Sequence, residues 1–221
     1  MARLRVLPIV EGHGEDAAIR ILLERIGSEL PGCEHIEVLR PLRWPKTKLL
    51  QELELKRAVE LACLKLAPLH SPEHPLVLIL LDADEDPPCR LGPELLANAR
   101  QVRPDVDIVC VLAKVEYETW FVAAAESLAK HGYLRLAAGE SPPDRPELTR
   151  SGEAWIRKHL AGARYSKTVD QPAFTRHMDL ASCRQRAPSF AKLCRDLEAA
   201  TVRAAARTAN ASPSPTDPRR P

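Results

Sequence analysis

Aromatic residues make up only 4% of this 221-residue chain. So sparse a set speaks against a surface on which single-stranded bases stack one after another. An excess of one charge is missing too: 32 Lys and Arg stand against 30 Asp and Glu, for a net charge of +2. No overall field draws such a chain to nucleic acid, and any such binding has to come from a local patch. No apolar run approaches the roughly 18 residues that a membrane span requires. The N-terminal MARLRVLPIVEG reaches Glu11 too soon for a signal peptide. The six cysteines contain no C-x-x-C pair, so the spacing of a zinc site is absent. A chain of this length without a secretory signal is also a poor candidate for a disulfide framework. Cys63, Cys110 and Cys194 fall on apolar faces and read as small core residues in a reducing cytoplasm.

With 45% hydrophobic residues there is ample material for a core. RLRVLPIV ends at Glu11-Gly12 and reads as a buried strand. EDAAIRILLERIGSEL puts Ile19, Leu22, Leu23, Ile26 and Leu30 on one helical face. A second strand is expected over 35–43, weakened by Pro41, and a helix over 47–66. LVLILLDAD is a third strand, and a helix opens at Pro93 and stops before Pro104. VDIVCVLAK is a fourth strand, followed by an amphipathic helix through Tyr117, Trp120, Phe121, Ala124 and Leu128. Four apolar strands with helical crossovers imply a parallel α/β sheet covered on both faces, with 2-1-3-4 as the expected order. Beyond it come a proline-rich loop over 132–152 and helices near 151–161 and 189–206. The predicted organisation is therefore an α/β domain over 1–131, a loop and helical extension packed on it over 132–206, and a disordered tail over 207–221.

The chemistry-bearing residues gather at strand ends. Glu11 closes the first strand, with Glu15 one helical turn on; Asp82 and Asp84 close the third, with Glu85 and Asp86 beside them. In an open parallel sheet, ligands collect beyond the carboxyl ends of the strands. Neighbouring first and third strands would bring these carboxylates to one point. Convergent oxygen donors with no cysteine describe a hard-cation site for Mg²⁺ or Mn²⁺, whose charge would offset their mutual repulsion. Gly12 and Gly14 permit a sharp strand-to-helix turn. The stretch VEGHGEDA has too few glycines for a dinucleotide fingerprint and no Walker lysine. Ser166 with His159 or His177 lacks the G-x-S-x-G setting of a hydrolase triad.

IVEGHGE followed by LLDADED resembles the Toprim domain of topoisomerases, primases and overcoming-lysogenization-defect (OLD) type nucleases. More closely, VEGHGE, LLDADED, AKVEYETWF and YSKTVDQP resemble, in order and over roughly residues 4–200, a bacterial family of small Toprim-like proteins. The resemblance implies a three-layer α/β/α Toprim-like fold and metal-dependent nuclease activity on DNA or RNA, in a bacterial defence or mobile-element setting. It makes Glu11 a metal ligand or general acid/base, Asp82 and Asp84 metal ligands, and Glu15 a sign of two ions rather than one. Lys114 matches the basic residue that stabilises transition-state charge. Glu116 and Glu118 are candidates for the second ion, and Asp86 for an outer position. A separately encoded ATPase partner is implied by the same resemblance.

Arg40, Arg43, Lys46 and Lys48 follow the second strand and should lie on the same sheet edge as the acids, where phosphate-backbone contacts need them. Two other functions compete. A phosphoacceptor receiver binds Mg²⁺ in a similar sheet, but it carries its paired acids after the first strand and its single acceptor after the third, the reverse of this chain. A non-catalytic module of an ATPase complex would keep the fold and use its helical extension for the partner.

Overall fold

The computed structural model describes residues 3–33, 36–67 and 74–211. The first apolar run forms β1 (Leu4–Val10) and leads at once into α1 (His13–Glu29). Next come β2 (Ile36–Val38), β3 (Leu42–Arg43), α2 (Lys46–Leu49) and α3 (Glu52–Leu66). The longest strand, β4 (His74–Asp82), is followed by α4 (Pro88–Val102) and β5 (Asp107–Ala113). The remainder is helical: α5 (Glu118–Ala123), α6 (Ala125–Lys130), α7 (Gly152–His159), α8 (Lys167–His177), α9 (Leu180–Arg186) and α10 (Pro188–Ala211).

The sheet runs β2-β1-β4-β5, with β3 also pairing β1, and every pairing between named strands is parallel. Its central strands are apolar on both sides because both sides are covered. Val6, Val10, Leu76, Leu78, Leu80, Val109 and Val111 share one core cluster with residues of α1, α5, α8 and α10. Leu7, Ile9, Val77, Ile79, Leu81, Cys110 and Leu112 share the other with α3 and α4. The C-terminal helices thus belong to the same core as the sheet. Arg25 of α1 holds α8 by donating to the carbonyls of Thr175 (2.7 Å) and Met178 (2.8 Å) at its C-terminal end. Among the described residues, no helix is long and apolar enough to cross a membrane. The six cysteines are free, and Cys63, Cys110 and Cys194 are buried.

Several expectations change. The single strand over 35–43 is two short ones, because Pro41 interrupts the ladder; His35 lies outside the described residues. The helix over 47–66 breaks at Leu50-Gln51, and the one through Tyr117 and Leu128 breaks at Ala124. α4 begins at Pro88, so Pro93 sits inside it. α8 and α9 are additional to the helices expected near 151–161 and 189–206. The predicted disordered tail is helical from 207 to 211, and 212–221 lie outside the described residues.

α7 is docked by backbone proximity. Ser151 caps it, accepting from the Ala154 amide at 3.1 Å, and donates to Glu116 Oε1 at 2.8 Å. The Glu153 amide donates to the same oxygen at 2.7 Å. A Cβ on Gly152 would stand 2.6 Å from the Thr119 nitrogen and 2.8 Å from the Glu118 carbonyl carbon. Backbone cannot swing aside as a side chain can, so Gly152→Ala is expected to destabilise the protein by roughly 1–3 kcal/mol through overpacking. Thermal unfolding checks this; an unchanged midpoint would mean that α7 and α5 do not meet this closely.

Candidate functional site

Register decides which side chains meet. Val10 pairs with Leu80, so Glu11 leaves β1 one step before Asp82 ends β4. One cleft of about 420 Å³ is lined by Glu11, Glu15, Asp82 and Asp84, with His13 and Lys167 beside them. The predicted acids of the two strand ends therefore do share one opening. Asp86 stands outside that lining but is tied to it through Lys46. Gly14 is where α8 comes in: a Cβ there would collide with the Gln171 side-chain amide.

Two lysines supply positive charge. Lys46 Nζ lies 2.8 Å from Asp84 Oδ2 and 2.9 Å from Asp86 Oδ2, and donates to the Ala83 carbonyl at 2.8 Å. Its side chain is only 7% exposed. Lys46 does lie on the sheet edge of the acids, but its ammonium, expected to meet a phosphate backbone, is committed inward to Asp84 and Asp86. Burial alone would lower its pKa, but hydrogen bonds to Asp84 and Asp86 outweigh burial and raise it. Lys167, from the first turn of α8, stands 3.3 Å from Glu118 Oε1 and 3.4 Å from Glu153 Oε2. Burial opposes its charge, but Glu118 and Asp82 prevail and its pKa too is raised.

Glu118 is fully buried. Its Oε1 accepts from Tyr165 Oη at 3.0 Å and Gln171 Nε2 at 2.9 Å, and burial raises its pKa. Its Oε2 and Gln171 Oε1 have no hydrogen-bond partner. Asp82 Oδ1 accepts from the Tyr117 amide at 2.7 Å. Burial first, and then the charges of Glu15 and Glu118, push the Asp82 pKa well above the ordinary carboxylate range. Glu11 is raised by burial and by Asp84, against the pull of the Lys46 amide and ammonium. Tyr117 is buried in an aromatic cluster with Trp120 and Phe121, its hydroxyl on Thr175, and takes no part in the cleft.

The turns that carry these groups are strained. Asp84 has φ 51° and Val115 φ 66°, and the Asp84 amide donates to the Val115 carbonyl at 2.7 Å. Aspartate tolerates the left-handed region, but a β-branched valine there is an outlier of the kind that gathers at functional sites. Lys114 does not line the acid cleft. It lines an adjoining cavity that shares Asp84 and contains Glu116, Thr149 and Arg150. Glu116 is occupied at the start of α7. Arg43 lies against His13 at the rim of the cleft, and Arg40 and Lys48 are exposed.

Among the described residues, no three His, Cys, Asp or Glu side chains form a ready-made metal cage. The donor set nevertheless fits a hydrated hard cation, since Mg²⁺ is commonly held by one or two carboxylates and keeps its remaining waters. Lys167, Tyr165 and Gln171 are site residues to which the sequence patterns assign no role. All three lie in the YSKTVDQP stretch, and its resemblance to the Toprim-like family is the only sign of them.

The two aspartates should respond differently to amidation. Asp82→Asn keeps the acceptor for the Tyr117 amide and removes a carboxylate that burial makes costly to ionise. Because the fold raises this pKa, ionisation withdraws stability as pH rises through it, and the variant escapes that loss. Its apo thermal stability should equal or exceed the wild type's near neutral pH. Asp84→Asn tolerates the same backbone but weakens an ion pair with a buried lysine, and should cost roughly 0.5–1 kcal/mol after solvent screening. Parallel thermal melts check this; identical shifts would contradict the pairing of Asp84 with Lys46.

No curated protein and no solved structure matches the chain. A family model described as "Domain of unknown function (DUF4276)" matches residues 10–198, which include the cleft, both of its lysines and all but the end of the helical extension. The chain belongs to the DUF4276 family.

Proposed function

We propose that the cleft is the active site of a Mg²⁺- or Mn²⁺-dependent phosphodiesterase of Toprim type that acts on nucleic acid. The observation that carries this reading is the meeting of Glu11, Glu15, Asp82 and Asp84 at the ends of adjacent parallel strands. A three-layer Toprim arrangement is part of the proposal, supported by the parallel sheet with helices against both core clusters. Glu11, Asp82 and Asp84 would hold one ion, with Glu15 available to a second; Glu118, expected to join it, lies outside the cleft lining, buried under Tyr165 and Gln171. When bound, a divalent cation lowers the pKa of a water and offsets charge on the phosphate.

The chain's own groups have separate tasks. Glu11, at the end of β1, serves either as a ligand of the ion or as the group that takes and returns a proton at its carboxyl. Lys167 brings positive charge to the cleft itself, a position that suits developing charge on phosphate better than that of Lys114 next door. Arg40, Arg43 and Lys48 remain for the phosphate backbone. A separately encoded ATPase is a compatible partner. The second reading is a non-catalytic module of such a complex. It is favoured by one observation, that Lys46 and Lys167 pair with acids of the site and offset part of their charge.

Asp82→Asn and Asp84→Asn should each lower Mg²⁺-dependent cleavage at least about 10²-fold, as loss of a metal ligand does. Lys167→Ala should lower turnover more than Lys114→Ala. The readout is a nuclease assay with a Mg²⁺ titration, and a folded double aspartate variant with full activity would sink the proposal. The exposed arginines Arg40 and Arg43 act on binding instead. Arg40→Ala with Arg43→Ala should weaken affinity and flatten its salt dependence by up to roughly two units of slope, one per phosphate contact. Binding measured in Ca²⁺, without cleavage, checks this, and an unchanged slope would remove the arginines from the interface.

A further inference from the structure

α3 buries one apolar face and carries further leucines among charges on its outer side. Leu55, Val59, Ala62 and Leu66 are buried against the sheet. On the opposite side Leu53 is 59% exposed and Leu64 72%, with Leu61 at 37% on the flank. Leucines aligned on the solvent-facing side of a helix offer a surface that a partner can cover. The outer stripe also has an order. Leu53, Arg57, Glu60 and Leu64 follow one another at steps of four, three and four residues, the spacing of a seam that packs against another helix.

We propose that this stripe is the interface of a two-fold dimer in which α3 pairs antiparallel with α3 of a second copy. The stripe is complementary to itself only in that orientation. Setting Leu53 opposite the partner's Leu64 automatically sets Arg57 opposite the partner's Glu60, and the two-fold repeats both pairs. A parallel pairing would face arginine with arginine and glutamate with glutamate, so the charged layer selects direction and register. Arg57 now bonds Glu54 of its own helix at 2.6 Å. An exposed pair of that kind is worth little and yields readily to a partner. The seam is a single pair of helices, at the small end of specific interfaces, so a reversible dimer with Kd of roughly 1–100 µM is expected. This surface lies on the α3–α4 side of the sheet and does not depend on what the acid cleft does.

Sedimentation equilibrium of the full chain tests the proposal. The wild type should dimerise with concentration, and Leu53→Lys with Leu64→Lys should be monomeric while keeping the wild-type circular dichroism. Arg57→Glu and Glu60→Arg should each weaken the dimer about tenfold or more, and the two together should return it to within about threefold of wild type. A wild type that stays monomeric up to roughly 100 µM overturns the proposal. So does a dimer that survives the lysine pair, or single charge reversals without effect.

Discussion

Carboxylates brought to one end of a parallel sheet repel each other, and the surroundings of this cleft follow from the need to offset that repulsion. Parallel strands all deliver their C-termini to the same edge, so adjacency of β1 and β4 is enough to crowd Glu11 against Asp82 and Asp84. Lysines answer from two directions. Lys46 arrives on α2, just after the interrupted second strand, and Lys167 arrives on α8 from far along the chain. The grip of Arg25 on the end of α8 and the close approach at Gly14 hold the second of these in position.

The sheet was legible because its strands are apolar without alternation, the signature of cover on both faces. That is a local property and survives being read locally. α8 was not legible for the converse reason. It carries Pro172 in its interior and few large apolar residues besides Val169 and Phe174, so its periodicity is weak. Its helix is specified by what it packs on, chiefly α1. The breaks at Leu50-Gln51 and Ala124 are likewise settled by packing, since neither has the glycine or proline that announces an end.

The acids of the site were legible by position, since a charge that ends an apolar strand needs a reason. Their counter-charges were not. Lys46 sits among Arg40, Arg43 and Lys48, and nothing in that run separates the one ammonium that turns inward. Glu116 and Glu118 are two residues apart with opposite fates, one receiving the start of α7 and the other buried under Tyr165 and Gln171. Such differences arise from which helix happens to lie above, and the sequence around each residue is silent about that.

The arrival of Lys167 on α8 also gives the cleft a history. A nascent chain that has completed β5 and α5 already possesses Glu11, Asp82 and Glu118, but not Tyr165, Lys167 or Gln171. Glu118 then keeps its charge only by staying in contact with water, and α5 cannot close over it. Tyr165 and α8, which complete the cover over this corner, come later in the chain. A later portion of the chain therefore decides when an earlier one becomes enclosed, and a ribosome-bound fragment that stops short of α8 holds the acids without that low-dielectric corner.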